Sequence, residues 1–401
     1  MRQDFFPVAG PRRKPALWLL VLITFTGTLA MHMFVPALPI AAQDLGASIG
    51  AMQMTISLYI LGLAFGQLIY GPLSDCFGRK PILMVGLVLY TAAGIAAAAA
   101  PGVYALIAAR LFQALGGCAG LVLGRAMVRD MSAPEAAARQ LAVMNLIVVI
   151  GPALAPLFGG LLATSLGWRS IFLLLVALGA TNILCAWRLL PETGQPSGTI
   201  SILSLGRDYS GLLRSHAFLG YAIGGSCATT SMYAFIAAAP FIFEELGRPA
   251  HEVGLALGLL AVGASIGSAL ATRLIGRARL ERLMVGANAL STCAALLLLG
   301  CVLLGKIDVF SAVGLMVLFN IGAGLSSPAA LTKAVSVNPR LIGSASGLYG
   351  FAQMTIGAVC TSLSGLGHDP ALAAASVLAA AGVISQLSFW VALRSERGAA
   401  V

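Results

Sequence analysis

Apolar residues in this chain come in long runs separated by short polar gaps, without the alternation of a half-buried strand. Twelve runs are legible. They fall near residues 16–38, 50–72, 81–100, 103–124, 140–164 and 169–190, and then near 217–243, 251–274, 283–304, 308–331, 342–366 and 371–393. Each approaches the roughly 20 residues that a helix needs to cross the hydrocarbon core of a bilayer. The lack of a two-residue period excludes a membrane barrel. The pattern predicts an all-α membrane protein with twelve transmembrane helices. One gap is longer than the rest: residues 191–215 are polar, and Gly194, Pro196, Ser197 and Gly198 favour a loop there. The expected organisation is a tail over 1–15, a six-helix bundle over 16–190, a linker over 191–216, a second bundle over 217–394 and a tail over 395–401.

Composition agrees with that reading. The 401 residues are 59% hydrophobic and 9% charged, whereas soluble domains carry about 25% charged residues. The net charge of +10 does not point to nucleic acid, because no basic stripe or aromatic platform accompanies it. Lysine and arginine sit instead in the tails and in alternate gaps. With the N-terminus in the cytoplasm, Arg169, Arg248 and Lys306 alone fall on the opposite face, and Arg110 lies inside a run. That bias orients the chain with both termini cytoplasmic. The first run exceeds the core of about 7–15 residues of a cleavable signal, so it reads as a permanent span. The seven cysteines form no C-x-x-C pair and read as small buried hydrophobes.

Chemistry concentrates in a few places. Residues 71–80 read G-P-L-S-D-C-F-G-R-K between two apolar runs. Gly71 and Gly78 flank a charged clasp of Asp75, Arg79 and Lys80, and Gly78 suits a tight turn. The stretch resembles the signature loop of the major facilitator superfamily of secondary transporters. Residues 56–80 as a whole resemble the Bcr/CflA group of drug:proton antiporters, except that Cys76 stands where the group usually has arginine. The resemblance implies two parallel-repeat six-helix bundles with a substrate site between them. It also implies export of small amphiphilic molecules across the bacterial inner membrane, with protons and lipid as partners, no cofactor and a monomeric state. The family's acid at Asp75 docks against the start of span eleven, here near Gly343, and latches the cytoplasmic side. Residues 270–277 (L-A-T-R-L-I-G-R) overlay this loop on Gly276 and Arg277, with Arg273 in place of Asp75, as a degenerate second copy.

Two further stretches resemble family signatures. Arg110 opens R-L-F-Q-A-L-G-G-C-A-G, with Gln113 one turn on. An arginine inside a span costs about 2.5–3.5 kcal/mol on insertion scales, so it needs partners. In the family it is tied to proton movement; a packing role bonded to backbone carbonyls is the plain alternative. Gly116, Gly117 and Gly120 leave room for close helix contact. Residues 151–160 (G-P-A-L-A-P-L-F-G-G) resemble the antiporter signature of exporters. Pro152 and Pro156 remove backbone donors and bend the helix, and Gly151, Gly159 and Gly160 are expected to let it approach span eight. The segments L-P-E-T at 190–193, W-R-S-I-F at 168–172 and G-S-A-S-G at 343–347 match the same family.

His32 is the main departure. It lies in M-H-M-F-V-P-A-L-P, which resembles the group's T-D-M-Y-L-P-A-L-P, and it takes the place of an acid. All 14 acidic residues of the chain lie in gaps or at the ends of runs. A proton-coupled exporter built this way must use His32, whose unperturbed pKa is about 6.5, or an edge acid such as Glu244. The alternative is a histidine that only lines the cavity. Candidate cavity residues are Tyr59, Gln67, Gln113, Asn145, Tyr233, Phe235, Asn320, Tyr349 and Gln353. Nothing points to an enzyme: His32, His216, His251 and His368 are scattered, and no phosphate-binding loop of the G-x-x-x-x-G-K-[ST] type exists. A second reading keeps the fold but assigns export of one specific metabolite or natural product without proton coupling.

Overall fold

The computed structural model of the protein describes residues 15–132, 134–194, 202–275, 277, 279–338 and 341–399. Its regular structure is helical. In the first half the helices are α1 (Leu17–Met33), α2 (Leu38–Asp44), α3 (Ile49–Phe77), α4 (Arg79–Ala98), α5 (Val103–Met131), α6 (Pro134–Leu166) and α7 (Arg169–Leu189). Then follow α8 (Ile202–Leu213), α9 (His216–Thr230), α10 (Met232–Glu245), α11 (Ala250–Leu274), α12 (Leu280–Leu303), α13 (Val309–Ser336), α14 (Ile342–Ser364) and α15 (Pro370–Ala399). Among the described residues, ten segments are long and apolar enough to cross a membrane. Helices α6 and α14 lie where the fifth and eleventh runs fall.

Local chemistry sets the helix ends. Ser48 caps α3 by accepting from the Ala51 N–H, and Asp308 and Ser311 form a reciprocal capping box at the start of α13. Gly78 alone separates α3 from α4. Its φ of 100° is a conformation that glycine adopts without a Cβ clash, so the expected tight turn is one residue long.

Two apolar runs are broken. Pro36 and Pro39 lack N–H donors, and the first segment passes through a 3₁₀ turn at Val35–Ala37 before resuming as α2. It therefore extends to Asp44, beyond the expected end at 38. Helices α9 and α10 part at Ser231. Just before it, Thr229 and Thr230 turn their hydroxyls back onto the Gly225 and Ser226 carbonyls, at 2.7 and 2.8 Å.

The linker differs from the loop expected over 191–215. Residues 202–213 form α8, with Ile202, Leu205, Tyr209 and Leu212 spaced for one apolar stripe. Leu212 is buried in a cluster with Phe218 and Tyr221 of α9. The glycines and serines of this stretch masked that periodicity.

In the first half α5 is central, packed on α1, α3 and α4, while α7 backs α4. Backbone contact makes this possible. A methyl group on Gly116 of α5 would press on the Tyr90 amide nitrogen and stand 2.5 Å from the Gly86 carbonyl oxygen of α4. Helix α13 takes the corresponding role in the second half, against α9, α11 and α12. The halves meet chiefly along α3 with α14 and along α6 with α11.

Candidate functional site

Between the halves lies a cavity of about 800 Å3. It reaches the surface beside the α3–α4 turn, where Asp75 and Arg129 are exposed. At the other end the halves touch. Gln43 Nε2 donates to Glu244 Oε1 at 2.8 Å, and Ser364 Oγ donates to Gln53 Oε1 at 3.3 Å. A methyl group on Gly365, just past α14, would stand 3.3 Å from the Gly50 Cα of α3. Gly254 of α11 seats against the Pro156 carbonyl of α6.

The deep part of the cavity holds His32, Gln67, Tyr233, Asn320 and Gln353 among apolar side chains such as Met31, Met232, Leu257, Leu260 and Met354. His32 Nδ1 lies 3.1 Å from the Thr28 carbonyl oxygen. A carbonyl only accepts, so Nδ1 carries the proton and, in the neutral ring, Nε2 is left as an acceptor. The His32 and Tyr233 rings stand 6.5 Å apart across the gap. Asn320 Nδ2 donates to the Met316 carbonyl, and Gln353 Nε2 to Thr229 Oγ1, both at 2.8 Å. Tyr349 lines the wall with a buried hydroxyl that has no partner among the described residues.

Three expected cavity residues lie elsewhere. Tyr59 is fully buried between helices, with its hydroxyl bonded to the Gly27 carbonyl at 2.8 Å. Gln113 is buried beside Arg110, whose Nη1 donates to it at 2.8 Å. Phe235 faces the core, because Tyr233 and Ile236 present the cavity side of α10. Asn145 lies on α6, outside the residues whose side chains are described.

Arg110 is fully buried and does not line the cavity. Its guanidinium carbon stands 4.0 Å from the Tyr59 ring centroid, 5.6 Å from Phe34 and 5.7 Å from Phe172. Aromatic faces thus supply attraction to the cation. Its Nε and Nη2 have no hydrogen-bond partner among the described residues.

At the cavity mouth Asp75 pairs with Arg79 one turn later, at 2.6 Å. Arg79 Nε donates to Asp130 of α5 at 2.9 Å. The backbone N–H groups of Arg79 and Lys80 donate to Glu192, at 2.9 and 3.1 Å. Glu192, from the L-P-E-T segment, thereby places an anion at the N-terminus of α4. Lys80 Nζ donates to the Trp187 carbonyl. Gly71 lines the mouth with nothing in contact at its open face, and Cys76 is buried. Gly343 lies in the first turn of α14, where nothing of its surroundings is described, and Gly276 lies outside the described residues.

The proline-rich stretch sits within α6. Gly151 faces the Phe25 ring and Gly159 the Met33 carbonyl, both on the first segment and not on α11 as expected. Among the described residues, Gly254 of α11 supplies a small residue at the α6–α11 contact. Gly160 accepts from Thr164. The Pro152 side chain is outside those described.

Two features escaped the sequence reading. Arg125 and Arg129 line the cavity on α5, one turn apart. Both fall in the polar gap between the runs 103–124 and 140–164, although α5 runs to Met131; their spacing of four is the signal the sequence offers. In the second half Lys333 binds Glu281 at 3.1 Å and Glu396 at 3.0 Å, tying α12, α13 and α15 together.

A helical bundle with a cavity between its halves, closed at one end, defines a class: a polytopic membrane protein built like a secondary transporter. Residues 20–362 match the Major Facilitator Superfamily, and the chain belongs to that family. It is 30% identical to multidrug resistance protein D of Escherichia coli over 358 residues, 88% of this chain and 89% of that protein. It is 26% identical to a bicyclomycin resistance protein homolog of Haemophilus influenzae, covering 90% and 91%. In fold it is similar to a D-xylose-proton symporter, with a TM-score of 0.74 at 14% identity over 93% of this chain and 96% of that one.

Proposed function

We propose that the protein exports small amphiphilic molecules across the bacterial inner membrane by alternating access, in exchange for protons. The observation that carries this reading is the cavity between the halves, sealed at the Gln43–Glu244 end and lined by apolar side chains with a few polar groups. The names of relatives that confer multidrug and bicyclomycin resistance support it.

In this proposal the twelve runs are twelve spans, with α1 and α2 together making the first and α9 and α10 the seventh. Residues 16–190 and 217–394 form two bundles, 191–216 link them on the cytoplasmic side, both termini are cytoplasmic, and one chain is the working unit. The cavity then opens inward. Asp75, Arg79 and Lys80, with Gly71 and Gly78, form a latch that engages when the mouth closes. The stretch holding Gly151, Pro152, Pro156, Gly159 and Gly160 serves as a gate element.

His32 is the proton carrier in this reading: its Nε2 faces the cavity as an acceptor, so a proton and a substrate compete there. Arg110 takes part from behind the wall, as a fixed positive charge on the neighbouring α5. The test is proton release on substrate binding to purified protein, comparing wild type with His32→Ala and His32→Asp. Release is expected in wild type and His32→Asp and not in His32→Ala. Release that survives in His32→Ala would remove His32 from the path.

A second reading, export of one compound without proton coupling, is favoured by the lack of any described carboxylate deep in the cavity. Transport that ignores an imposed pH gradient would select it.

A further inference from the structure

We infer that the cavity rejects cations, and that its substrates are uncharged amphiphiles. This inference rests on the export reading above.

The argument begins with where negative charge is placed. The acids on the long apolar helices sit toward their ends: Asp44, Asp130, Glu245, Glu252, Glu281 and Glu396 are examples. Asp75 is the one described acid in the cavity wall, at its exposed mouth, and Arg79 holds it at 2.6 Å. The same wall carries three guanidinium groups, on Arg79, Arg125 and Arg129; Arg79 is shared between Asp75 and Asp130, so the described charges at the mouth stay positive by one. Arg110 adds a fourth positive charge behind the wall, with rings and Gln113 as its partners among the described residues.

A permanent cation entering from the mouth meets this positive field. It then gives up hydration in a low-dielectric site and finds no carboxylate among the described residues of the deep cavity to repay the loss. An uncharged molecule meets neither obstacle. His32 Nε2 can accept a hydrogen bond from it, and Met31, Met232 and Met354 offer adaptable apolar contact. Position 32 is where one change of side chain would reverse the preference, because it puts a titratable group at the deep wall.

The experiment uses the purified full-length chain and three polyphenyl probes that differ in charge: triphenylphosphine oxide, which is uncharged, has one phenyl fewer and carries no donor, so that it tests charge and apolar contact alone, and tetraphenylphosphonium and tetraphenylborate. The oxide is expected to bind at least about tenfold more tightly than the phosphonium, a difference of about 1.4 kcal/mol. His32→Asp is expected to shrink that ratio by at least about tenfold. Gln353→Glu, which puts a carboxylate on the facing wall, gives the same shift and covers the case in which His32→Asp fails to fold.

Phosphonium bound as tightly as the oxide by wild type overturns the inference and leaves export standing. An unchanged ratio in both variants overturns it as well, and borate bound far more tightly than the oxide replaces uncharged substrates by anions. Oxide that binds with the expected preference, yet is not moved by the protein in liposomes, overturns the export reading and leaves the selectivity. Binding of none of the three overturns both.

Discussion

Tyr59 lies face-on to Arg110, its ring centroid 4.0 Å from the guanidinium carbon, and this ring is the closest of the three aromatic faces around a fully buried charge. The same tyrosine joins α3 to α1 through its bond to the Gly27 carbonyl. The two contributions separate by substitution. Tyr59→Phe keeps the ring and loses the hydroxyl bond, costing about 1 kcal/mol. Tyr59→Leu also removes the π face and costs about 1–2 kcal/mol more. Melting of the purified variants in detergent should rank them wild type, Phe, Leu; equal melting of the last two would count against the cation–π contact.

Gly116 and Gly71 are both glycines in spans, with opposite expectations. A methyl on Gly116 meets the backbone of α4, which cannot step aside, so Gly116→Ala should cost about 1–3 kcal/mol by overpacking. At Gly71 nothing lies within 4 Å, so Gly71→Ala should melt like wild type. Parallel thermal scans check the pair.

The sealed end predicts a shift of population. Gly365 packs against the Gly50 backbone and the Gln53 side chain. Gly365→Val should wedge this contact apart and favour the state in which the opposite mouth closes. A thiol reporter placed by Ser346→Cys in the cavity wall should then react several-fold more slowly with a water-soluble maleimide, in a background lacking the native cysteines. A difference of about 1.4 kcal/mol between the states is a factor of ten in their ratio. Unchanged labelling would argue against alternation about this contact.

Lys333 is the hub of the second half. Lys333→Met leaves Glu281 and Glu396 facing each other without a cation. The acids are about a third exposed, so screening holds the expected loss to about 1–2 kcal/mol. Lys333→Arg should restore most of it. Melting that is equal in Met and Arg variants would show that the cluster contributes no net stability.

The helices were legible because apolar runs of span length leave little else for a membrane chain to do. Their ends were less so. Helices α3, α5 and α13 run on by a turn or more through charged residues such as Asp75, Arg129 and Lys333, which hydropathy assigns to loops. This is why Arg125 and Arg129 were missed as cavity residues. Helix α8 was hidden by Gly206 and Gly211, whose cost is outweighed by burial of Leu212.

The candidate site was half legible. Gln67, Tyr233, Asn320, Tyr349 and Gln353 do line the cavity, because a polar residue in a span must face protein or water and not lipid. The same rule cannot tell a cavity from a helix–helix seam, and Tyr59 and Gln113 went to the seam. The overlay at Arg277 pointed to a second charged loop, whereas the charge cluster of that half joins Glu281, Lys333 and Glu396, residues far apart in the chain that only packing brings together.

The wall contributed by α10, α11, α13 and α14 shows no charged side chain among its described residues, while every described charge in the cavity comes from the first half. The two walls can therefore diverge at different rates. Exchanges among Ile236, Leu257, Leu260 and Met354 reshape the chamber without altering its electric field. A lineage facing new toxic compounds could widen or narrow its repertoire through one half of the gene while the other stays under constraint.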